Sequence, residues 1–203
     1  MADIIPVTVA VEGNADEVVA RRLLAHAAIP CSRVHVLGGK ESLMRQLLSF
    51  NRAAAHTPWL VLIDLDNPDT CAPAFIREHL PQPAQHMRFR VAVFEIEAWL
   101  LADRERMAKF LHISSTKIPR EPDKENNPKQ TLVNLARHSR SREIQADFVP
   151  RPGAGIRGSG YTERLIEFAS RFWRPEIAAE NSDSLRRCIT ALQRWKSDLS
   201  TLE

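Results

Sequence analysis

Residues 59–68 read WLVLIDLDNP. The first five, Trp59–Ile63, are an unbroken apolar run closed by a polar turn. That is the pattern of a strand buried on both faces in the middle of a parallel sheet. Upstream, Pro6–Val11 (PVTVAV) is short and β-branched, so it reads as a strand that stops at the turn cluster Glu12-Gly13-Asn14. A helix is expected from about Asp16 to Ala28, with Val19, Leu23 and Ala27 on one face. Arg33–Leu37 (RVHVL) reads as another strand, closed by Gly38-Gly39, and Glu41–Ala55 as an amphipathic helix with Leu43, Leu47 and Leu48 inward. Downstream, Thr70–Leu80 reads as a short helix, Phe89–Phe94 (FRVAVF) as a fourth strand, and residues 95–111 (EIEAWLLADRERMAKFL) as one helix. Strand and helix alternate four times. The expected fold is therefore α/β, a mainly parallel sheet of about four strands with helices on both faces.

The remainder has a different texture. His112–Pro128 is polar and proline-bearing, a loop or lid, and Lys129–His138 reads as a helix. Ser139–Gly160 contains PRPGAGIRGSG, which holds four of the seven glycines, and reads as a flexible loop entering a helix at Tyr161–Trp173. A last helix covers about Ser182–Leu199. The expected division is an α/β core of residues 1–111 and a loop-rich, mostly helical extension of residues 112–203 packed on it.

Composition narrows the function classes. The chain has 203 residues, 44% hydrophobic and 26% charged, which excludes a disordered tail, a collagen-like rod and a coiled coil. No run approaches the roughly 18–20 apolar residues needed to span a bilayer, so no membrane partner is expected. The N-terminal MADIIPVTVAVEGNADE has no positive leader region, which points to a cytoplasmic location. Cys31, Cys71 and Cys188 are odd in number and widely spaced, and read as free thiols. The histidines form no HxH or HExxH, and no GxSxG elbow exists, so zinc and serine-nucleophile chemistry find no support. The net charge is +3, but residues 1–103 carry −3 and residues 104–203 carry +6. An acidic site facing a basic surface fits a metal-bound, phosphate-bearing substrate.

The acids at 12, 64, 66, 95 and 97 all fall just after expected strands. In parallel sheets, functional residues collect beyond the carboxyl ends of the strands. Glu12, followed by a glycine that permits close approach, can ligate a metal or serve as a general base. Asp16 and Glu17 lie at a helix N-terminus, where the dipole favours negative charge, so Asp16 also reads as a plain first-turn acid. Asp64 and Asp66, two apart in an extended chain, point the same way about 7 Å apart and repel unless a cation is near. Hard cations such as Mg²⁺ take such oxygens, while the alternative is an Asx-type turn. Glu95 and Glu97 share a face if the strand continues, and lie about 200° apart if a helix begins. Glu97, flanked by Trp99, Leu100 and Leu101, needs a partner or a cation and is the preferred ligand. Asp103 reads as an exposed or capping acid.

The bases Lys129, Arg137, Arg140, Arg142, Arg151 and Arg157 precede or line the glycine loop. Loop amides and the following helix N-terminus make an anion site there, with Arg157 in GIRGSG as the foremost phosphate contact. The competing reading is a solvated loop with scattered arginines. The loop has neither Walker A nor dinucleotide-binding spacing.

A strand–Glu-Gly–helix followed by a hydrophobic strand–Asp-x-Asp, here VAVEGNADE and LVLIDLDN, resembles the Toprim fold of topoisomerases, primases, recombination-repair proteins and overcoming-lysogenization-defect nucleases. FEIEAWLLAD, NNPKQTL and GSGYTERLIEF are similar to pieces of a Toprim-related bacterial family of unknown function. The resemblance implies that Glu12 acts in acid/base chemistry or binds metal and that Asp64 and Asp66 hold Mg²⁺. From the nuclease branch it implies Asp16 as a further ligand. With Glu97, these acids would cradle one or two Mg²⁺ ions, or Mn²⁺ in their place. Glu12, Lys129 and Arg157 are then the expected catalytic residues, the two bases neutralising substrate charge. No tyrosine-bearing partner domain accompanies the Toprim-like part, so Tyr161 is not read as a DNA-linking nucleophile.

The expected function is a Mg²⁺-dependent phosphodiester hydrolase, a nuclease, acting on nucleic acid or another phosphate-bearing substrate. Related Toprim proteins work with an ATPase in phage defence, which implies a defence role and an ATPase partner. The alternatives are a non-catalytic subunit of such an ATPase-containing system, and a nucleotide or small-molecule phosphatase.

Overall fold

In a computed structural model, described for residues 4–66, 70–153 and 155–200, four strands form one all-parallel sheet in the order β2-β1-β3-β4. The elements alternate as β1 (Val7–Val11), α1 (Asn14–His26), β2 (Cys31–Val36), α2 (Lys40–Ala53), β3 (Trp59–Asp64), α3 (Ala72–His79) and β4 (Met87–Ala92). The α/β architecture is as expected. Helices α4 (Ile96–Ala102), α5 (Arg104–Phe110), α6 (Pro128–Ala136), α7 (Arg142–Phe148), α8 (Tyr161–Arg171), α9 (Pro175–Asn181) and α10 (Asp183–Leu199) follow, with short 3₁₀ turns at Ser115–Lys117 and Pro122–Lys124. The Asn67-Pro68 end of the turn after β3 lies outside the described residues.

Hydrophobicity decides which strands sit in the middle. In β1 and β3 nearly every side chain is buried, including Val9, Ala10, Val61 and Ile63 at 0% exposure. Both strands are flanked on either side, which is why β3 reads as a continuous apolar run and β1 carries a single polar residue, Thr8. Edge strand β2 keeps most of its side chains partly or fully exposed, and edge strand β4 alternates Arg88 and Arg90 with Met87, Phe89 and Val91. On one face, Leu43, Leu47 and Phe50 of α2 pack with Ala10, Val61, Ile63, Phe89 and Val91, and Phe75 and Ile76 of α3 join them. Alternation sends Val9, Val11, Leu60 and Leu62 to the other face. They are buried too.

The chain divides into two compact units, Met1–Val93 together with Arg187–Glu203, and Phe94–Arg186. In the first unit, the guanidinium of Arg88 stacks 5.0 Å from the Trp195 ring centroid and bonds Asp198 at 3.0 Å. In the second, Trp99, Trp173, Phe148, Tyr161 and Phe168 are the large buried side chains. Trp173 donates its indole N–H to the Trp99 carbonyl at 3.1 Å, and Trp99 donates its own to Ser184 Oγ at 2.7 Å. Buried indoles find partners in this way.

Several local expectations need correcting, among them Leu48 of α2, expected inward and 62% exposed. Strand β4 stops at Ala92 instead of reaching Phe94, because Phe94 turns the chain with a φ of 60°. Residues 95–111 are two helices, since Asp103 leaves helical geometry to cap α5 by accepting the Arg106 N–H. Residues 139–160 are not all loop. Ser141 accepts the Ile144 N–H and starts α7, which buries Ile144 and Phe148. The three cysteines are free thiols, and burial pushes Cys188 up to about 11.

Candidate functional site

Backbone pairing between β1 and β3 reaches Ala10 and Val61. Beyond it, the Glu12 side chain continues the connection, its Oε1 accepting the Asp64 N–H at 2.9 Å. The Glu12 carbonyl accepts the Gly39 N–H at 3.0 Å. Gly39 has a φ of 128°, a conformation that side-chain-bearing residues avoid, which accounts for glycine before α2. Glu12 therefore ties the ends of β1 and β3 to the turn entering α2.

That turn delivers a residue the sequence reading passed over. Lys40, the first residue of α2, donates from Nζ to the Asp64 carbonyl at 2.8 Å, the Leu65 carbonyl at 3.0 Å and Asp66 Oδ2 at 2.9 Å. Three donors meet three acceptors. A cation in a first turn opposes the helix dipole, so these converging oxygens are what hold it. The signal in the sequence was a lysine directly behind Gly38-Gly39. Asp66 has a φ of 61°, so the extended spacing expected of Asp64 and Asp66 ends at Leu65. Aspartate is among the few residues that tolerate this conformation. Asp16, 8% exposed, accepts the Gly13 N–H at 2.9 Å and closes the first turn of α1.

The first unit thus brings Glu12, Asp64, Asp66 and Lys40 to the carboxyl edge of the sheet, between β1 and β3. There the connections leave in opposite directions, to β2 on one side and β4 on the other. Such switch points are where open parallel sheets bind ligands. Among the described residues, no group of three or more His, Cys, Asp or Glu side chains forms a metal-ligand cluster.

The second unit assembles its own cluster from three separate stretches. Glu95 is the residue that precedes the first turn of α4, without a capping side-chain bond, and Glu97 lies in that turn. Asn127 caps α6 and Pro128 opens it, which places Lys129 in the first turn. Lys129 donates its backbone N–H to Glu95 Oε2 at 2.9 Å and its Nζ to Glu95 Oε1 at 2.8 Å. The same Nζ is 3.8 Å from Glu97 Oε1. Because Glu95 sits on the cap and not in the helix proper, both acids meet Lys129. Glu97 is 3% exposed, and its Oε1 accepts the Tyr161 hydroxyl at 3.1 Å. Its Oε2 is buried with no hydrogen-bond partner among the described residues. Tyr161, the single tyrosine, was set aside as a nucleophile in the sequence reading and given no other role. Burial, with the Glu97 carboxylate beside it, holds the Tyr161 hydroxyl well above its usual 10. Arg157 lies over the Tyr161 ring, 5.7 Å from its centroid.

Asp103 is a capping acid but not an exposed one. It is 0% exposed and accepts from Arg174 through the backbone N–H, Nε and a terminal nitrogen at 2.7–3.0 Å.

Burial pushes the Glu97 carboxyl above its ordinary 4.5, against the pull of Lys129. The native state then keeps a proton that the unfolded chain gives up, so Glu97 costs stability as pH rises from about 4.5 through the raised value. Glu97→Gln keeps an acceptor for Tyr161 and removes the titration. In chelator, its denaturation midpoint is expected to decline less than the wild type's above about pH 4.5. Parallel profiles would show that Glu97 carries no such proton.

No protein-family model, curated protein or solved structure matches the chain.

Proposed function

We propose that the chain is a divalent-cation-dependent phosphodiester hydrolase whose ion is held at the carboxyl edge of β1 and β3. The observation that carries this reading is the Lys40 ammonium, gathered by two carbonyls and a carboxylate at 2.8–3.0 Å. These are hard oxygens already arranged around a positive charge, the donor chemistry that Mg²⁺ or Mn²⁺ takes. Glu12, Asp16, Asp64 and Asp66 are the carboxylates that would hold the ion, closing on it from positions that form no ready cluster without it. In the second unit, the orphaned Glu97 Oε2 is an oxygen of the same kind. A bound ion supplies Lewis-acid polarisation of a phosphoryl oxygen and an acidified water. Glu12, anchored on the Asp64 N–H, keeps the two strand ends together. In the second unit, Lys129 is held by Glu95, and Arg157 carries positive charge that suits a phosphate there.

The test is hydrolysis of plasmid, single-stranded DNA, RNA and nucleotides with Mg²⁺ or Mn²⁺, beside Asp64→Ala. Hydrolysis by the wild type that the variant loses is the expected result. Silence on every substrate contradicts the proposal. A second reading, a non-catalytic subunit, draws on the same ammonium, because Lys40 supplies from within the chain the charge a metal would bring. Under that reading the edge is closed and no divalent ion binds.

A further inference from the structure

The second unit carries a basic groove beside the buried Glu97 cluster, the two meeting at Arg157, which lies over the Tyr161 ring. A cavity of about 980 Å³ is lined by Arg137, Arg142, Arg151 and Arg157, with Gln145, Ala146, Val149 and Ser159 between them. Its wall is one face of α7. Arg142, Gln145, Ala146 and Val149 recur at i, i+3, i+4 and i+7, the spacing of a single helical stripe. Gln145 Nε2 donates to the Ser139 carbonyl at 2.8 Å and the Arg137 carbonyl at 3.4 Å, which fixes the Arg137 segment against α7. The rest of the lining includes Arg151, Arg157, Gly158 and Ser159, with the Gly158 N–H donating to the Phe148 carbonyl at 2.9 Å.

The charge of this groove is not neutralised from within. Between Arg137 and Gly160 there are five arginines and two acids, Glu143 and Asp147. Both acids turn to Arg164, Asp147 at 2.7 Å, and Arg164 also takes Glu167 at 2.8 Å. Among the described residues, no carboxylate pairs with Arg137, Arg142, Arg151 or Arg157. By contrast, Arg164 and Arg174 of the same unit are saturated with acids. Guanidinium forks fit phosphate oxygens, and four of them around one groove match a repeating anion better than a single one.

We propose that this groove binds the phosphodiester backbone of a single nucleic-acid strand. The choice of a phosphodiester polymer over other polyanions rests on the hydrolase reading above; the groove itself does not. A single strand is chosen because the four arginines line one open groove of about 980 Å³, which admits one backbone. No aromatic side chain lines the groove, so there is no stacking platform and binding is indifferent to base sequence.

The test is anisotropy of a labelled oligothymidylate of about 20 nucleotides, a length beyond one site, in EDTA over a range of salt. With four phosphate contacts the slope of log K against log salt is expected near about −2.8, and each Arg→Gln change should remove about 0.7 of it. Arg137→Gln, Arg142→Gln and Arg151→Gln together should weaken binding at least about tenfold, while Arg171→Gln, outside the groove, leaves it unchanged. An unchanged slope in the triple variant overturns the proposal. So does a duplex that binds as tightly as the strand, or inorganic phosphate that competes at equal concentration. Because binding is read without metal, a strand that binds but is never cleaved sinks the hydrolase reading alone. A strand that is cleaved with unchanged KM by the triple variant sinks the groove alone.

Discussion

Gly158→Ala is expected to destabilise the second unit by at least about 3 kcal/mol, the upper end of the overpacking range. A Cβ at residue 158 would lie 2.2 Å from the Asp147 carbonyl oxygen and 2.7 Å from its carbon. Those are backbone atoms in the last turn of α7, so no side-chain rotation relieves the contact. Gly160 is in the same position, with Asp147 Cβ 2.7 Å from its hypothetical Cβ. The Gly-Ser-Gly step is therefore where the chain presses against α7 before turning into α8. The comparison variant is Gly155→Ala. Gly155 has a φ of 85° but open space around it, so its cost is the left-handed penalty of about 1–2 kcal/mol. Thermal unfolding is expected to place Gly158→Ala well below Gly155→Ala, with the wild type above both. Equal midpoints for the two variants would mean that the close approach of the loop to α7 contributes nothing.

Asp103→Ala is the second large effect, expected at about 3–4 kcal/mol. Asp103 is wholly buried, and its two oxygens serve Arg174 three times and the Arg106 N–H once. Alanine removes the cap of α5, worth about 1 kcal/mol. It also leaves the Arg174 backbone N–H and guanidinium without their main acceptor. Asp103→Asn keeps acceptor oxygen and should cost less. Glu105→Ala, which removes the outer and exposed partner of the same arginine, should stay within about 0.5 kcal/mol. Denaturant midpoints for the three variants check this order, and a Glu105→Ala effect as large as that of Asp103→Ala would contradict it.

The sheet was legible because burial on both faces leaves a plain mark on sequence. Trp59–Ile63 is apolar without interruption and Val7–Val11 is broken only by the half-buried Thr8, and they are the two central strands. Helices α7 and α9 left weaker marks. Each is seven residues long, and α7 is written among arginines that serve the groove, with only Ile144 and Phe148 to show an inward face. The acids at the strand ends were legible for a topological reason, since a parallel sheet puts every strand's last residue on one edge. Lys40 was not, because it comes from the start of a helix 24 residues before the Asp64 carbonyl it binds. Tyr161 was set aside as a nucleophile, and its role as donor to Glu97 depends on a contact across 64 residues of chain that no local pattern encodes.

The most direct measurement is Mn²⁺ binding by calorimetry to the wild type, Asp66→Ala and Lys40→Met. If the oxygens at the ends of β1 and β3 serve a divalent ion, the wild type binds it. Asp66→Ala then weakens binding at least about tenfold, as loss of a charged ligand should, and Lys40→Met tightens it by removing the competing ammonium. Absence of binding in the wild type and in Lys40→Met alike, or affinity indifferent to Asp66, would contradict the account.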